Sequence, residues 1–360
     1  MKKFFPLFIL FCIAFCAKPV QAAFINGQNY VPLADWANAN SLKIFWLKRG
    51  EEIAATNHTT RLVFNRNSAD AEINGIQVRL SFPFAIEKNV PLIAQFDLDK
   101  TIRPLLFSWR YIDPKKITTI CLDPGHGGKD SGNHVGGGFF GHSEKTYTLE
   151  LALELRDQLK KLGFNVILTR NKDNYVELPD RPAIANKHGA DLFVSLHFNA
   201  AETGRDEVQG PETYCITPAG ASSSNERTEE AGFDSSIGNG ATIANRSEQK
   251  SLLLAYQIQK SLVRNLNAND RGVRRARFAV LRDAAMPAIL IEGGYMTNPA
   301  EGKKIYDAAY RRQMASAIVK GILNYQKLTA PPAPAIPPAT KTNSPSVTAT
   351  NKVSNEKGVK

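Results

Sequence analysis

The chain has 360 residues, 43% of them hydrophobic and 22% charged, with a formal net charge of +11. Such a composition excludes wholesale disorder, and at roughly 100–200 residues per domain the length accommodates two compact units. No stretch after residue 22 approaches the roughly 18–20 apolar residues of a membrane-spanning helix, which predicts a soluble mature chain.

Residues 1–22 read as an export signal: Lys2 and Lys3 form a basic start, residues 4–17 an apolar run, and Val20-Gln21-Ala22 a small-residue cleavage site. The expected location is therefore the periplasm or the cell wall and extracellular space. Phe15 precedes Cys16 where a lipoprotein would carry a small residue, which argues against lipidation. Removing Lys2, Lys3 and Lys18 lowers the formal charge from +11 to +8. That excess suits solubility or an acidic surface such as wall polymer, and export disfavours nucleic acid as a partner. Of the cysteines only Cys121 and Cys215 survive cleavage. They could form one disulfide or remain two buried thiols, since both sit in apolar, strand-like contexts. The absence of a CxxC pair argues against thiol-ligated zinc.

Residues 23–112 form one compositional block, expected to be a small α+β or mainly β module. Asn26-Gly27 and Asn74-Gly75 signal hairpins, Leu62-Val63-Phe64 a strand, and Leu33 to Ala39 a short helix around Trp36. Residues 25–42 (INGQNYVPLADWANANSL) and 67–80 (NSADAEINGIQVRL) resemble the copper-amine-oxidase N-terminal-like module. That resemblance implies a binding or spacer role and no copper site. Asp113-Pro114-Lys115-Lys116 looks like a linker.

From residue 117 to 328 strand-like and helical runs alternate. Strands are expected at 117–122, 166–169, 192–196, 213–216 and 288–291, and helices at 144–162, 181–188, 252–266 and 310–323. Alternation of this kind predicts an α/β domain with a mostly parallel sheet and helices on both faces. From Thr329 to residue 360 prolines fall among Ala, Thr, Ser and Lys, a composition expected of a disordered tail.

Three of these strands run into potential metal ligands or acids: Asp123-Pro124-Gly125-His126-Gly127-Gly128, then His197, then Glu292-Gly293-Gly294. In open parallel sheets, sites form beyond the carboxyl ends of the strands. Parallel, neighbouring strands would thus bring His126, His197 and Glu292 to one crevice. Glu144 joins them by periodicity. On a helix starting near Ser143, an N-cap candidate, an advance of about 100° per residue puts Leu151, Leu155 and Leu162 within roughly 20° of Glu144. A carboxylate pointed inward is costly unless paired or metal-bound; the competing account is a first-turn acid favoured by the helix dipole. Two imidazoles and one carboxylate suit catalytic zinc with a fourth position left to water, and Glu292 then fits a general base.

The other histidines have plainer readings. His188 suits a helix C-terminus and His58 an exposed position; His134 and His142, in the loop between His126 and Glu144, are alternative ligands, and His134 could instead touch substrate. The cluster Gly125 to Asp130 fails as a phosphate loop, because Asp123 stands where the first glycine should and Asp130 where Ser or Thr should. Cys121, inside a strand, reads as core.

The motifs at residues 123–130, Glu144, Ser195-Leu196-His197-Phe198-Asn199-Ala200, and residues 291–298 together resemble the zinc-dependent N-acetylmuramoyl-L-alanine amidases over about 117–325. The resemblance implies one zinc ion held by His126, Glu144 and His197, with Glu292 as the catalytic carboxylate. It further implies peptidoglycan as partner and hydrolysis of the amide joining N-acetylmuramic acid to the L-alanine of the stem peptide. An activator protein is a candidate partner. The last motif departs from the usual Glu, Thr or Leu, Gly-Phe and Ser-Asn by reading Glu292-Gly293-Gly294-Tyr295-Met296-Thr297-Asn298, which keeps the acid. Residues 202–250 exceed a simple connection; a lid carrying Glu226, Glu229 or Glu230 is one reading and a surface loop the other. Asn199, Arg274 and Arg282 are candidate substrate contacts, with Arg271, Arg275 and Arg277 in the same basic run before an expected strand at Phe278–Arg282. A guanidinium can bind a stem-peptide carboxylate bidentately; a solvated basic face is the alternative. The competing functions are a zinc peptidase cutting the stem peptide and a catalytically silent wall-binding protein.

Overall fold

The computed structural model describes residues 22–136, 141–223 and 240–330. The expected export signal up to residue 21, the expected tail from residue 331, and the lid candidates Glu226, Glu229 and Glu230 lie outside the described residues.

The first block opens with β1 (Ala23–Ile25) and β2 (Gln28–Pro32), joined by Asn26-Gly27 at φ +47° and +79°. Both residues are left-handed, as a two-residue turn matched to strand twist requires. Helix α1 (Leu33–Ala39) follows and buries Trp36, as expected. Strands β3 (Lys43–Lys48), β4 (Glu52–Thr56), β5 (Arg61–Asn65), β6 (Asp70–Ile73) and β7 (Ile76–Arg79) form an antiparallel meander whose last turn is Asn74-Gly75. A third left-handed pair, Lys88-Asn89, joins β8 (Ala85–Glu87) to β9 (Val90–Ala94) and contains no glycine to advertise it. Strands β1, β2, β9 and β8 make a separate four-stranded sheet. Short helices α2 (Gln95–Asp97), α3 (Arg103–Leu106) and α4 (Ser108–Tyr111) close the block.

The second block runs β10 (Thr119–Pro124), the small pair β11 (His134–Val135) and β12 (His142–Ser143), α5 (Glu144–Lys161), β13 (Asn165–Leu168), α6 (Asp180–Lys187) and β14 (Leu192–Asn199). It continues through β15 (Glu212–Ile216), α7 (Glu248–Leu266), β16 (Val273–Ala276), α8 (Ala279–Arg282), β17 (Ala288–Tyr295), α9 (Pro299–Tyr306) and α10 (Ala308–Thr329). The strands lie in the order β13-β10-β14-β17-β15-β16 and pair in parallel except β15 with β17. Apolar side chains of α5, α7 and α10 cover one face, and those of α6 and α8 the other. The expected α/β architecture is therefore present, with one antiparallel pair inside it.

Three local expectations are corrected. Residues 278–282 are not a strand: β16 ends at Ala276, opposite Ile216, the last residue of β15, so the chain beyond has no ladder partner and turns into α8. Leu162 does not continue the inward stripe of α5, because the helix ends at Lys161; Leu162 is exposed and Leu159 is buried in its place. Thr329 does not begin a tail but is the buried last residue of α10.

The sheet does not stop at the block boundary. β16 pairs in parallel with β7 through Val273 and Val78, giving eleven continuous strands ending at β3. One apolar core includes Ile53, Phe64 and Val78 from the first block with Leu252, Tyr256 and Ile318 from the second. Polar ties reinforce it: Tyr256 Oη donates to the Ile73 carbonyl at 2.9 Å, and Lys100 pairs with Glu248 at 2.6 Å. Cys121 lies in the core under α6 and α8, whereas Cys215 lies in the core on the opposite face. Their strands are three positions apart, roughly 14 Å at the usual spacing, whereas a disulfide needs Cα atoms within about 7 Å. Both are free thiols. Among the described residues no helix is long and apolar enough to cross a membrane.

Candidate metal centre

The centre forms where β10, β14 and β17 end. After β10 the chain turns sharply, with His126 at φ +61°, a costly conformation for a residue with a Cβ. Two buried guanidinium groups hold that turn. Arg181 donates from Nη1 to the Pro124 carbonyl at 3.0 Å and from Nη2 to the His126 carbonyl at 3.0 Å. Arg170 donates to the Gly125 carbonyl at 2.7 Å and to that of Pro124 at 3.0 Å. Arg181 also pairs with Asp123 at 2.9 Å, and Asp123 accepts from Thr169 at 2.6 Å and Ser195 at 2.8 Å. Burial alone would raise the Asp123 carboxyl; Arg181 and the two hydroxyls outweigh it and hold it below the ordinary range.

Two of the nominated ligands, His126 and Glu144, are oriented by partners of their own. His126 Nδ1 lies 2.9 Å from Asp130 Oδ2, which leaves Nε2 facing Glu144 Oε2 at 3.0 Å. A carboxylate on one ring nitrogen of a metal-binding histidine fixes its tautomer and orientation. Glu144 is the first residue of α5, and its side chain is only 2% exposed. Its carboxylate accepts from the backbone N–H of Asn133 at 2.9 Å and of Phe198 at 3.0 Å. His197 Nδ1 stands 3.1 Å from Glu144 Oε1 and 3.2 Å from His126 Nε2. Burial would raise the Glu144 carboxyl, but the two imidazoles hold it well below its usual value. Ser143 occupies the N-cap position without capping through its side chain: its hydroxyl meets His134 Nδ1 at 3.1 Å.

One ligand atom from each of His126, Glu144 and His197 lies within 4.8 Å of the others. Two glycines make room for this set. A Cβ on Gly125 would come within 2.3 Å of the His197 ring, and one on Gly132 within 2.6 Å of Glu144 Oε2. Two imidazole nitrogen donors, one buried carboxylate and a turn shaped around them fit a divalent ion of the zinc type.

Glu292 is the direct partner of His197 in the β14–β17 register. Neighbouring strands are about 4.8 Å apart with paired side chains on one face, so the acid stands beside the ligand. Both line a cleft of about 550 Å³ that also contains Asn199. Apolar and aromatic side chains, Tyr175, Leu178, Tyr214, Phe278 and Val280, also line it.

The remaining sequence candidates are placed as follows. Asn199 donates from Nδ2 to Glu212 Oε1 at 2.8 Å. Arg274 stands between Asp70, at 3.4 Å, and Glu212, at 3.6 Å, and is not among the residues lining the cleft. Arg282 lies on α8 beside Asp283 at 3.5 Å, also outside the cleft lining. His142 stacks on Tyr306 with ring centroids 3.6 Å apart, and neither it nor His134 joins the ligand set. His188 follows the last residue of α6, and both it and His58 are exposed. Asp130, Arg170, Arg181 and Glu212 were not singled out from sequence. The site partners named here lie 4 to 83 positions away, and only Asp130, four residues from His126, carried a local signal.

Residues 120–324 match the N-acetylmuramoyl-L-alanine amidase family. The chain is 33% identical over 224 residues to the N-acetylmuramoyl-L-alanine amidase AmiA of Escherichia coli K12, covering 57% of this chain and 75% of that one. It is 35% identical over 221 residues to the N-acetylmuramoyl-L-alanine amidase AmiC of Neisseria meningitidis serogroup B, covering 57% of this chain and 52% of the relative. The match thus spans about half the length of the Neisseria protein. Among solved structures, the N-acetylmuramoyl-L-alanine amidase from Clostridium difficile 630 is 33% identical with a TM-score of 0.47, covering 59% of this chain and 98% of that one.

Proposed function

This chain belongs to the N-acetylmuramoyl-L-alanine amidase family, and from that premise we propose that it is an exported zinc amidase. Its substrate is the amide joining the lactyl group of N-acetylmuramic acid to L-alanine in peptidoglycan. The observation that carries the reading is the convergence of His126, Glu144 and His197 within 4.8 Å, with Glu292 in register beside His197.

His126 Nε2, His197 Nδ1 and Glu144 would hold the ion. Bound zinc supplies Lewis acidity, polarising an amide carbonyl and lowering the pKa of water. Asp130 keeps His126 Nε2 turned into the site, and the Asn133 and Phe198 N–H groups keep the Glu144 carboxylate aimed. Glu292 takes the proton from the attacking water and delivers it to the departing L-alanine nitrogen, so that the amine leaves neutral. The apolar residues that line the cleft exclude water from the carbonyl and pack against the substrate. Export is supported by the charged and apolar pattern of residues 1–22. The first block, similar to a copper-amine-oxidase N-terminal-like module, precedes the catalytic domain at 117–328.

The test is digestion of purified peptidoglycan by the mature chain, followed by identification of every new amine. Free L-alanine amino termini and intact muramic lactyl carboxylates are expected. New amines within the stem peptide would make the protein a peptidase, and no new amine would leave a wall-binding protein.

A further inference from the structure

The β14–β17 ladder breaks at the site. Between the pairs His197–Glu292 and Asn199–Tyr295 the register shifts, with three steps along β17 against two along β14. A bulge of this kind removes ladder hydrogen bonds. It does so immediately beyond the pair formed by a nominated ligand and the nominated base.

Glu212 spans the break. It is the direct partner of Glu292 across the antiparallel β15–β17 pair, so His197, Glu292 and Glu212 form one row over three strands. Its carboxylate accepts from Asn199 Nδ2 at 2.8 Å and from Tyr295 Oη at 3.3 Å. One buried acid thereby links Asn199 and Tyr295, the pair that resumes beyond the bulge. Glu212 is only 4% exposed, and a buried carboxylate needs cations. Arg271 and Arg274 supply them at 3.7 and 3.6 Å. Arg271 also lies over the Tyr295 ring, 4.9 Å from its centroid. Arg274 reaches across the block boundary to Asp70 on β6 at 3.4 Å, and Asp70 is held in turn by Arg79 at 2.9 Å. The boundary is narrow here: Asp270 accepts the backbone N–H of Gln77 at 2.7 Å, and β7 pairs with β16.

We propose that Glu212 is a positioning residue that sets the spacing of His197 and Glu292, and that the N-terminal block takes part in catalysis by anchoring Glu212 through Asp70 and Arg274. On this account the block is part of the active-site frame as well as any wall contact it makes. The inference rests on Glu292 and His197 being the reacting pair.

The test uses the full mature chain and a soluble muramoyl-peptide, with kcat, KM, bound zinc and Tm measured for each variant. Active wild type establishes the amidase reading independently; inactive wild type sinks that reading and this inference with it. Glu212→Gln is expected to lower kcat about tenfold with KM within about twofold and zinc retained. Asp70→Asn, at the far end of the chain, should lower kcat about two- to fivefold, a size typical of coupling through a packed network. In an Arg274→Met background, Asp70→Asn should add nothing, because the link is already cut. Arg79→Gln, which removes the outer partner of Asp70, should lower kcat no more than Asp70→Asn does. Unchanged kcat in Asp70→Asn, or an effect that simply adds to that of Arg274→Met, overturns the proposal. If Glu212→Gln misfolds, the Asp70 and Arg274 cycle still decides it. A kcat loss that follows Tm across all variants, Arg79→Gln included, also overturns it.

Discussion

Glu144 shows how a single residue can be read through its cost. An acid in line with Leu151 and Leu155 on one helix face demanded compensation, and the structure supplies two imidazoles and two backbone N–H groups around it. Glu292→Gln keeps the shape but cannot take a proton, so kcat should fall about 10²–10⁴-fold while bound zinc, measured by atomic emission, is unchanged. Loss of zinc in that variant would make Glu292 a ligand. Asp130→Asn should weaken zinc affinity about 10–100-fold by releasing the orientation of His126, measured by competition with a chelator. Unaltered affinity would reduce the 2.9 Å contact to a surface pair. Arg170 and Arg181 were out of reach of such reasoning. Nothing near an arginine in sequence says that the carbonyls of Pro124, Gly125 and His126 will be brought to it.

Secondary elements were legible where local chemistry decides them. Asn26-Gly27 and Asn74-Gly75 turn as expected because their left-handed backbone is intrinsic to those residues. Lys88-Asn89 adopts the same turn only because β8 and β9 pair around it. Likewise the strand expected at residues 278–282 failed because a strand needs a partner, and β15 ends too early to provide one. The turn that carries His126 depends on its glycines in different ways from the others. Gly125→Ala should displace the His197 ring, since the added Cβ would lie 2.3 Å from it, and should abolish stoichiometric zinc. Gly163→Ala meets open space at φ +86°, so it should cost only about 1–2 kcal/mol of stability and keep its zinc. Equal zinc loss in both would mean that fold, not site, was damaged.

The whole molecule differs most from an outline of two modules on a linker. Because β7 and β16 continue one sheet and a single core spans both blocks, residues 23–360 should unfold in one calorimetric transition. Two resolved transitions would show that the blocks are independent. Placing Cys121 and Cys215 on opposite faces of the sheet predicts two titratable thiols in denaturant without reductant; fewer would reveal a disulfide and a different sheet order.

By itself the sequence determined the alternating α/β pattern, the left-handed hairpins, and the donor types of the candidate ligand set, since periodicity, turn preference and donor type are properties of neighbouring residues. Tertiary structure alone decided that the N-terminal strands would extend the catalytic sheet. It also decided that Glu212 would stand in a row with Glu292 and His197, and that Arg274 would face Asp70 across 204 positions of chain. Those choices follow from strand order and register, which are set by burying apolar faces over the whole molecule and leave no trace in any short stretch of it.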